Sequence, residues 1–69
     1  MKIHIETQPQ PGGRLSVITY DITGGVRRPV ENVFYGLRYE VQRERNERCE
    51  RWSEIADEVT ANALPVARQ

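Results

Sequence analysis

The sequence predicts an α+β fold, in which an antiparallel β-hairpin precedes a long α-helix and a shorter C-terminal helix, assembled as a homodimer. Near the amino terminus, apolar and polar residues alternate as they do in strands. A Pro/Gly-rich turn follows, and no Gly or Pro then occurs between Leu37 and Leu64. The 69 residues form one domain, residues 1–69, because the chain is too short to divide.

Residues 2–22 are predicted to form the hairpin. Ile3 and Ile5 alternate with polar residues, the segment 9–13 has the Pro and Gly content of a turn, and residues 14–22 are rich in strand-forming residues. The apolar phase changes near Val17, which indicates either a β-bulge or burial on both faces of the strand.

Residues 29–64 are predicted to be helical and residues 65–69 to be a tail. Pro29 suits a first helical turn and Pro65 supplies a stop. The apolar positions fall mainly on one helical stripe, which comprises Val30, Phe34, Leu37, Val41, Trp52, Ile55, Ala56, Val59 and Ala63. The polar run 42–48 interrupts it, so either the helix breaks near Asn46–Glu50, which we favour, or its arginines lie at a hydrated crossing point.

The homodimer is predicted from the small size of the chain. Domains below roughly 70–80 residues rarely gain more than a few kcal/mol from one core and need an additional constraint. The lone Cys49 cannot form an internal disulfide. We therefore expect a second copy to cover the stripe, with the contact made by Phe34, Leu37, Val41, Trp52, Ile55 and Val59.

The sequence favours a non-enzymatic protein without cofactor or metal. His4 is the only histidine, Cys49 has no neighbouring base, and the glycine pairs lack phosphate-loop spacing. No apolar run is long enough to span a membrane, and the amino terminus does not read as a secretory signal. We expect a cytoplasmic protein, because a single cysteine suits a reducing compartment.

DNA binding is the main alternative class, in the form of a small dimeric repressor of ribbon–helix–helix type, because a strand precedes two predicted helices. The ten basic and ten acidic residues cancel, and the strand 15–22 carries Asp21 but no Arg or Lys. Since phosphate neutralisation dominates affinity for DNA, this composition disfavours DNA as a partner. A structural subunit of a phage particle is a third class that no residue excludes.

A polar and aromatic stripe on the helix predicts a protein-binding face, since Tyr and Arg are enriched at interface hot spots. The chain holds nine arginines and one lysine, and only the guanidinium fork forms planar bidentate contacts. Tyr35 falls on the same helical azimuth as Tyr39. The alternative interpretation is that both tyrosine rings pack over the hairpin, with their hydroxyl groups at the water boundary. The predicted partner-binding residues are Arg38, Tyr39, Gln42, Arg43 and Asn46.

The chain as a whole resembles the phage-encoded quorum-sensing anti-activators, small early proteins of temperate phages of Pseudomonas. The resemblance lies in Ile3-His4-Ile5, Val17-Ile18-Thr19-Tyr20, the segment Val33-Phe34-Tyr35-Gly36-Leu37-Arg38-Tyr39 and the arginine-rich helix that follows. It implies a protein of the host cytoplasm that binds a LuxR-type transcription activator and blocks its binding to DNA. It further implies inhibition of a type IV pilus assembly ATPase.

Overall fold

The computed structural model describes residues 1–65, which form a five-stranded mixed sheet with one α-helix packed against one of its faces. The predicted hairpin is present. β1 (Lys2–Gln10) and β2 (Arg14–Asp21) pair antiparallel, from Ile3 opposite Asp21 to Gln10 opposite Arg14. A short 3-10 turn, Pro11–Gly13, joins them, with Gly12 and Gly13 at φ 78° and 74°. Only glycine adopts such angles without steric cost.

The phase change near Val17 reflects burial on both faces of β2. The pairing with β1 continues without interruption through Val17, so there is no bulge. Leu15, Ser16 and Val17 are consecutive buried residues. Leu15 and Val17 face the helix, whereas Ser16 lies on the opposite sheet face, where the side chain of Gln10 donates to its hydroxyl at 3.1 Å.

Two short strands extend the sheet beyond β2, and one extends it beyond β1. β3 (Arg28–Pro29) and β4 (Phe34–Gly36) both pair antiparallel with β2, at different positions along it. β5 (Glu58–Ala61) pairs parallel with β1. β4 and β5 therefore run in the same direction with β2 and β1 between them, and the helix α1 (Arg38–Ser53) connects them across one face.

The prediction of helix over residues 29–64 was wrong at both ends. Pro29 and Phe34–Gly36 belong to strands that pair with the free edge of β2, and residues 30–33 between them are irregular. Leu37, the residue before α1, has an extended backbone with ψ 165°. The C-terminal helix is replaced by β5, whose Val59 and Thr60 are β-branched and suit a strand. The apolar residues from Trp52 to Ala63 have helical spacing, but part of this segment forms a strand that pairs with β1.

The expected break near Asn46–Glu50 is also absent, because α1 runs without interruption to Ser53. Arg48, within the polar run, lies 4% exposed against the sheet and finds polar partners there. A buried arginine with satisfied donors can take the place of an apolar residue on the inner side of the helix.

The core is small and lies between α1 and the sheet. Its fully packed apolar members are Ile3, Ile5, Leu15, Val17 and Val41. Of the predicted stripe, Val41 is in this core, and Phe34, Trp52 and Val59 pack against it while partly buried. Leu37 and Ile55 were expected to be covered but are 44% and 64% exposed. Both lie outside α1, so the helical spacing that placed them on the apolar stripe does not apply to them.

Candidate protein-binding face

The predicted partner-binding residues all lie exposed on the outer side of α1. Each of these residues is three or four positions from at least one other member of the set, which places them on one side of the helix. They are Arg38, Tyr39, Gln42, Arg43 and Asn46. Val41 and Arg48, by contrast, are buried against the sheet. Tyr39 is 65% exposed, so most of its ring is available for contact. We call these five residues the outer face of α1.

A polar cap fixes the start of the helix beneath this face. The backbone N–H of Leu37 donates to the Oε1 atom of Glu40 at 2.8 Å. Gly36 makes room for that carboxylate, since a Cβ atom at this position would lie 2.9 Å from it and 3.0 Å from the ring of Phe34. The cap therefore holds the first turn, which carries Arg38 and Tyr39, in a defined position relative to β4.

Two arginines join α1 to the segment after β5. Arg38 donates to the carbonyl oxygen of Pro65 at 2.5 Å, and Arg45 donates through two nitrogens to the carbonyl oxygen of Asn62 at 3.2 and 3.1 Å. Within residues 1–65, Arg43 makes no hydrogen bond or ion pair. Arg43 thus presents a guanidinium fork with no partner in the described chain, whereas Arg38 is already partly engaged.

A buried polar network locks the inner side of α1 to the sheet. The guanidinium of Arg48 donates to Glu44 at 2.8 Å, to the hydroxyl of Thr19 at 3.0 Å and to the carbonyl oxygen of Asn32 at 2.7 Å. It also reaches the carbonyl oxygen of Val17 at 3.4 Å. No buried side-chain polar atom of residues 1–65 lacks a partner. The hydrogen bonds of this buried network are therefore complete within residues 1–65.

Glu31 is the acidic centre of the same network. Its carboxylate accepts hydrogen bonds from Thr19 and the Trp52 indole, each at 2.7 Å, and pairs with Arg51 at 2.5 Å. Burial raises the pKa of Glu31, but the hydrogen bonds from Thr19 and Trp52 and the charges of Arg48 and Arg51 outweigh it, so the pKa lies below the ordinary value of a glutamate. Glu31 is therefore held as a carboxylate by four different residues.

The sheet face opposite α1 carries a second polar cluster that sequence reasoning missed. His4 hydrogen-bonds Thr60 at 2.8 Å and lies 3.6 Å from the carboxylate of Glu6, which is also 3.5 Å from Arg27. Arg27 stacks over the ring of Tyr20 at 4.7 Å. Strand alternation in β1 is the signal that could have grouped His4 with Glu6.

Tyr35 also belongs to that opposite sheet face. It lies in β4 opposite Ser16. Its two neighbours, Phe34 and Gly36, occupy the positions that face the helix. Tyr35 is 61% exposed. The prediction that Tyr35 and Tyr39 share one helical azimuth is therefore wrong, because only Tyr39 lies on a helix. Neither ring covers the hairpin to the exclusion of solvent.

A shallow groove runs between α1 and β5 at the side of the molecule. It has a volume of about 410 Å³ and is lined by Asn46, Cys49, Glu50 and Ser53 from the helix and by Val59, Thr60 and Ala61 from β5. Asn46 thus belongs both to the outer face of α1 and to this groove. Cys49 is half-buried with a free thiol.

No protein-family model, curated protein or solved structure matches this chain. Within residues 1–65, no helix is both long and apolar enough to cross a membrane. Over the same residues, no group of three or more His, Cys, Asp or Glu side chains is placed to hold a metal ion. The chemistry of the surface residues is therefore the basis for a functional proposal.

Proposed function

We propose that this protein is a small non-enzymatic inhibitor that binds another protein through the outer face of α1. The observation that supports it most is the exposure of Tyr39 beside two arginines and two amide side chains on a helix whose other side is fixed to the sheet. A rigid helix that presents an aromatic anchor and guanidinium forks has the composition of a helix-in-groove interface.

Each residue of the outer face of α1 has a distinct part in this proposal. Tyr39 buries its ring in a pocket of the partner and keeps its hydroxyl available for a hydrogen bond. Arg43 pairs with a carboxylate of the partner through a bidentate contact, since it has no partner of its own within residues 1–65. Arg38 adds a second positive charge, and Gln42 and Asn46 donate and accept hydrogen bonds at the rim.

The proposed partner is a LuxR-type transcription activator of the host cell, as the resemblance implies, and the inhibitor acts by occupying the surface that the activator uses for DNA. This mechanism is competition and needs no chemistry on either protein. A type IV pilus assembly ATPase is a second proposed target of the same resemblance. The proposed site of action is the host cytoplasm.

The ribbon–helix–helix repressor receives less support from the fold. That architecture requires two helices after its strand, whereas in residues 1–65 the single helix α1 is followed by strand β5. The outer face of α1 does carry two arginines, but the whole chain has no excess of basic over acidic residues. A protein partner therefore fits the composition better than a phosphate backbone.

Self-association remains part of the proposal. Only five apolar residues are fully packed in the core of residues 1–65, which is little for an independent domain. A homodimer would add buried apolar surface. Phe34, Trp52 and Val59 are already partly covered within the chain, so the dimer contact predicted from the helical stripe does not carry over unchanged.

The direct test is a competition titration with a purified LuxR-type activator on fluorescently labelled operator DNA. Addition of this protein is expected to release the activator, with a fall in anisotropy that saturates at a fixed ratio of the two proteins. The protein alone, titrated onto the same DNA at low salt, is expected to leave the anisotropy unchanged. An activator that stays on DNA at saturating inhibitor concentration would refute the proposed mechanism.

A further inference from the structure

Strand β5 has one unpaired edge. In the sheet order, β5 lies at the end and pairs with β1 alone among residues 1–65. An open strand edge presents backbone donors and acceptors that can pair with another strand. The groove beside α1 borders this edge, so a strand added here would also contact the helix.

The hydrogen bonds of β1 show which groups of β5 point outward. Lys2 directs its backbone N–H and C=O to the β2 side, towards Thr23 and Ile22, whereas Thr7 directs both of its groups to Asn62, just after β5. By strand alternation, Ile3 and Ile5 also face β5. In a parallel ladder they bond the residues flanking their partners, so the backbone groups of Val59 and Ala61 point away from the sheet.

The opposite edge of the sheet carries features that oppose pairing with another chain. It is divided into the two-residue β3 and the three-residue β4, and β3 consists of Arg28 and Pro29. Charged residues and proline are the usual protection of a free edge. In β5, the two residues whose backbone groups face outward are Val59 and Ala61, which have small apolar side chains and offer no such protection.

We infer that β5 is the self-association edge of this protein, where two copies pair antiparallel around a two-fold axis at Thr60. This inference rests on the self-association proposed above and assigns its surface. With Thr60 opposite Thr60 of the second copy, each Val59 lies opposite an Ala61. All outward N–H and C=O groups of these two residues then form hydrogen bonds, about four in total from the antiparallel pattern. The two sheets become one continuous sheet with both helices on the same side.

A second copy fits this edge better than an unrelated peptide for two reasons. The side chains that meet on the helix side are a larger and a smaller apolar residue, Val59 and Ala61, and no like charges oppose each other within 59–61. Joining the two sheets and closing the α1–β5 groove would also bury more apolar surface beside the small core. Of the outer face of α1, Asn46 borders the closed groove, whereas Arg38, Tyr39, Gln42 and Arg43 do not line it and stay accessible in both copies.

Cys49 reports directly on this arrangement, because it lines the groove next to Thr60 and is the only cysteine. In the joined sheet both helices lie on the same side, so one Cys49 thiol lies in the groove on either side of the axis. A short bismaleimide is therefore expected to cross-link the native chain into a covalent dimer, and light scattering is expected to give twice the 8.0 kDa chain mass. A monomer at high micromolar concentration would overturn both the proposed dimer and its surface.

Two substitutions test the edge itself. Ala61→Pro removes the outward N–H without removing a bond to β1, so the chain stays folded while the dimer dissociation constant rises by about tenfold or more. Thr60→Lys brings two charges together at the axis, and its matched control Thr60→Val keeps the β-branched shape. We expect Thr60→Lys to weaken the dimer and lower the cross-linked fraction and Thr60→Val to leave both unchanged. A dimer unaffected by Ala61→Pro and Thr60→Lys would overturn β5 as the contact but leave self-association and partner binding intact.

Discussion

At the residue scale, Arg48 is the side chain that joins helix to sheet. Its donors reach Glu44, Thr19 and two backbone carbonyl groups, and it is 4% exposed. Arg48→Ala leaves these acceptors buried without a donor, so we expect the free energy of unfolding to fall by about 3–5 kcal/mol. Urea titration measures the change. Arg43→Ala, the same substitution on the exposed side of α1, is expected to change stability by less than about 0.5 kcal/mol.

Glu31 gives the residue-scale prediction for pH. Because the pKa of Glu31 in the folded protein lies below its ordinary value, its contribution to stability is present at pH values above that ordinary value. It is lost as the pH falls through the lowered pKa, since the folded state must then bind a proton that it disfavours. Glu31→Gln is therefore expected to destabilise the protein at pH 7 and to differ progressively less from the native chain below about pH 4.5. A stability difference that stays constant from pH 7 to pH 3 would contradict the assignment.

At the element scale, the start of α1 depends on one side chain that takes the place of a standard cap. The N-cap residue is Leu37, which has no polar side chain, and the carboxylate of Glu40 accepts its backbone N–H instead. We expect Glu40→Ala to cost about 1 kcal/mol of stability. Gly36→Ala should have an effect in the same direction, because its methyl group would displace that carboxylate. Glu47→Ala, an exposed position in mid-helix, is the control. Equal thermal midpoints for the Glu40 and Glu47 variants would argue against the cap.

The elements also show how far the sequence alone could predict this fold. The hairpin followed from Ile3, Ile5 and the Pro/Gly turn, because strand alternation and turn chemistry are local properties. The strands at 28–29, 34–36 and 58–61 were missed, because each is defined by the edge of β1 or β2 that it pairs with and not by a local pattern of its own. The helical spacing of the apolar residues up to Val59 was a coincidence, because Val59 lies in a strand. The exposed residues on α1 could be predicted because that helix does run through 38–53.

At the scale of the whole molecule, the two sides of α1 have separate tasks. The inner side holds the fold through Val41 and Arg48, which are buried. The outer side is exposed, and we propose that it serves recognition. Substitutions on the outer face of α1 are therefore expected to change partner affinity and leave thermal stability nearly unchanged. Tyr39 on the α1 side is 65% exposed, and Tyr35 on the opposite sheet face is 61% exposed. Substituting one or the other therefore distinguishes binding through α1 from binding through the opposite face.

The most direct test of the account is the affinity of these variants for a purified LuxR-type activator, measured by calorimetry. Tyr39→Ala and Arg43→Ala are each expected to weaken binding by about 2 kcal/mol, or roughly thirtyfold, because hot-spot residues lose that much on truncation. Tyr35→Ala, on the opposite sheet face, is expected to bind like the native chain. Equal affinities for native, Tyr39→Ala and Arg43→Ala proteins, all folded, would contradict the assignment of the outer face of α1.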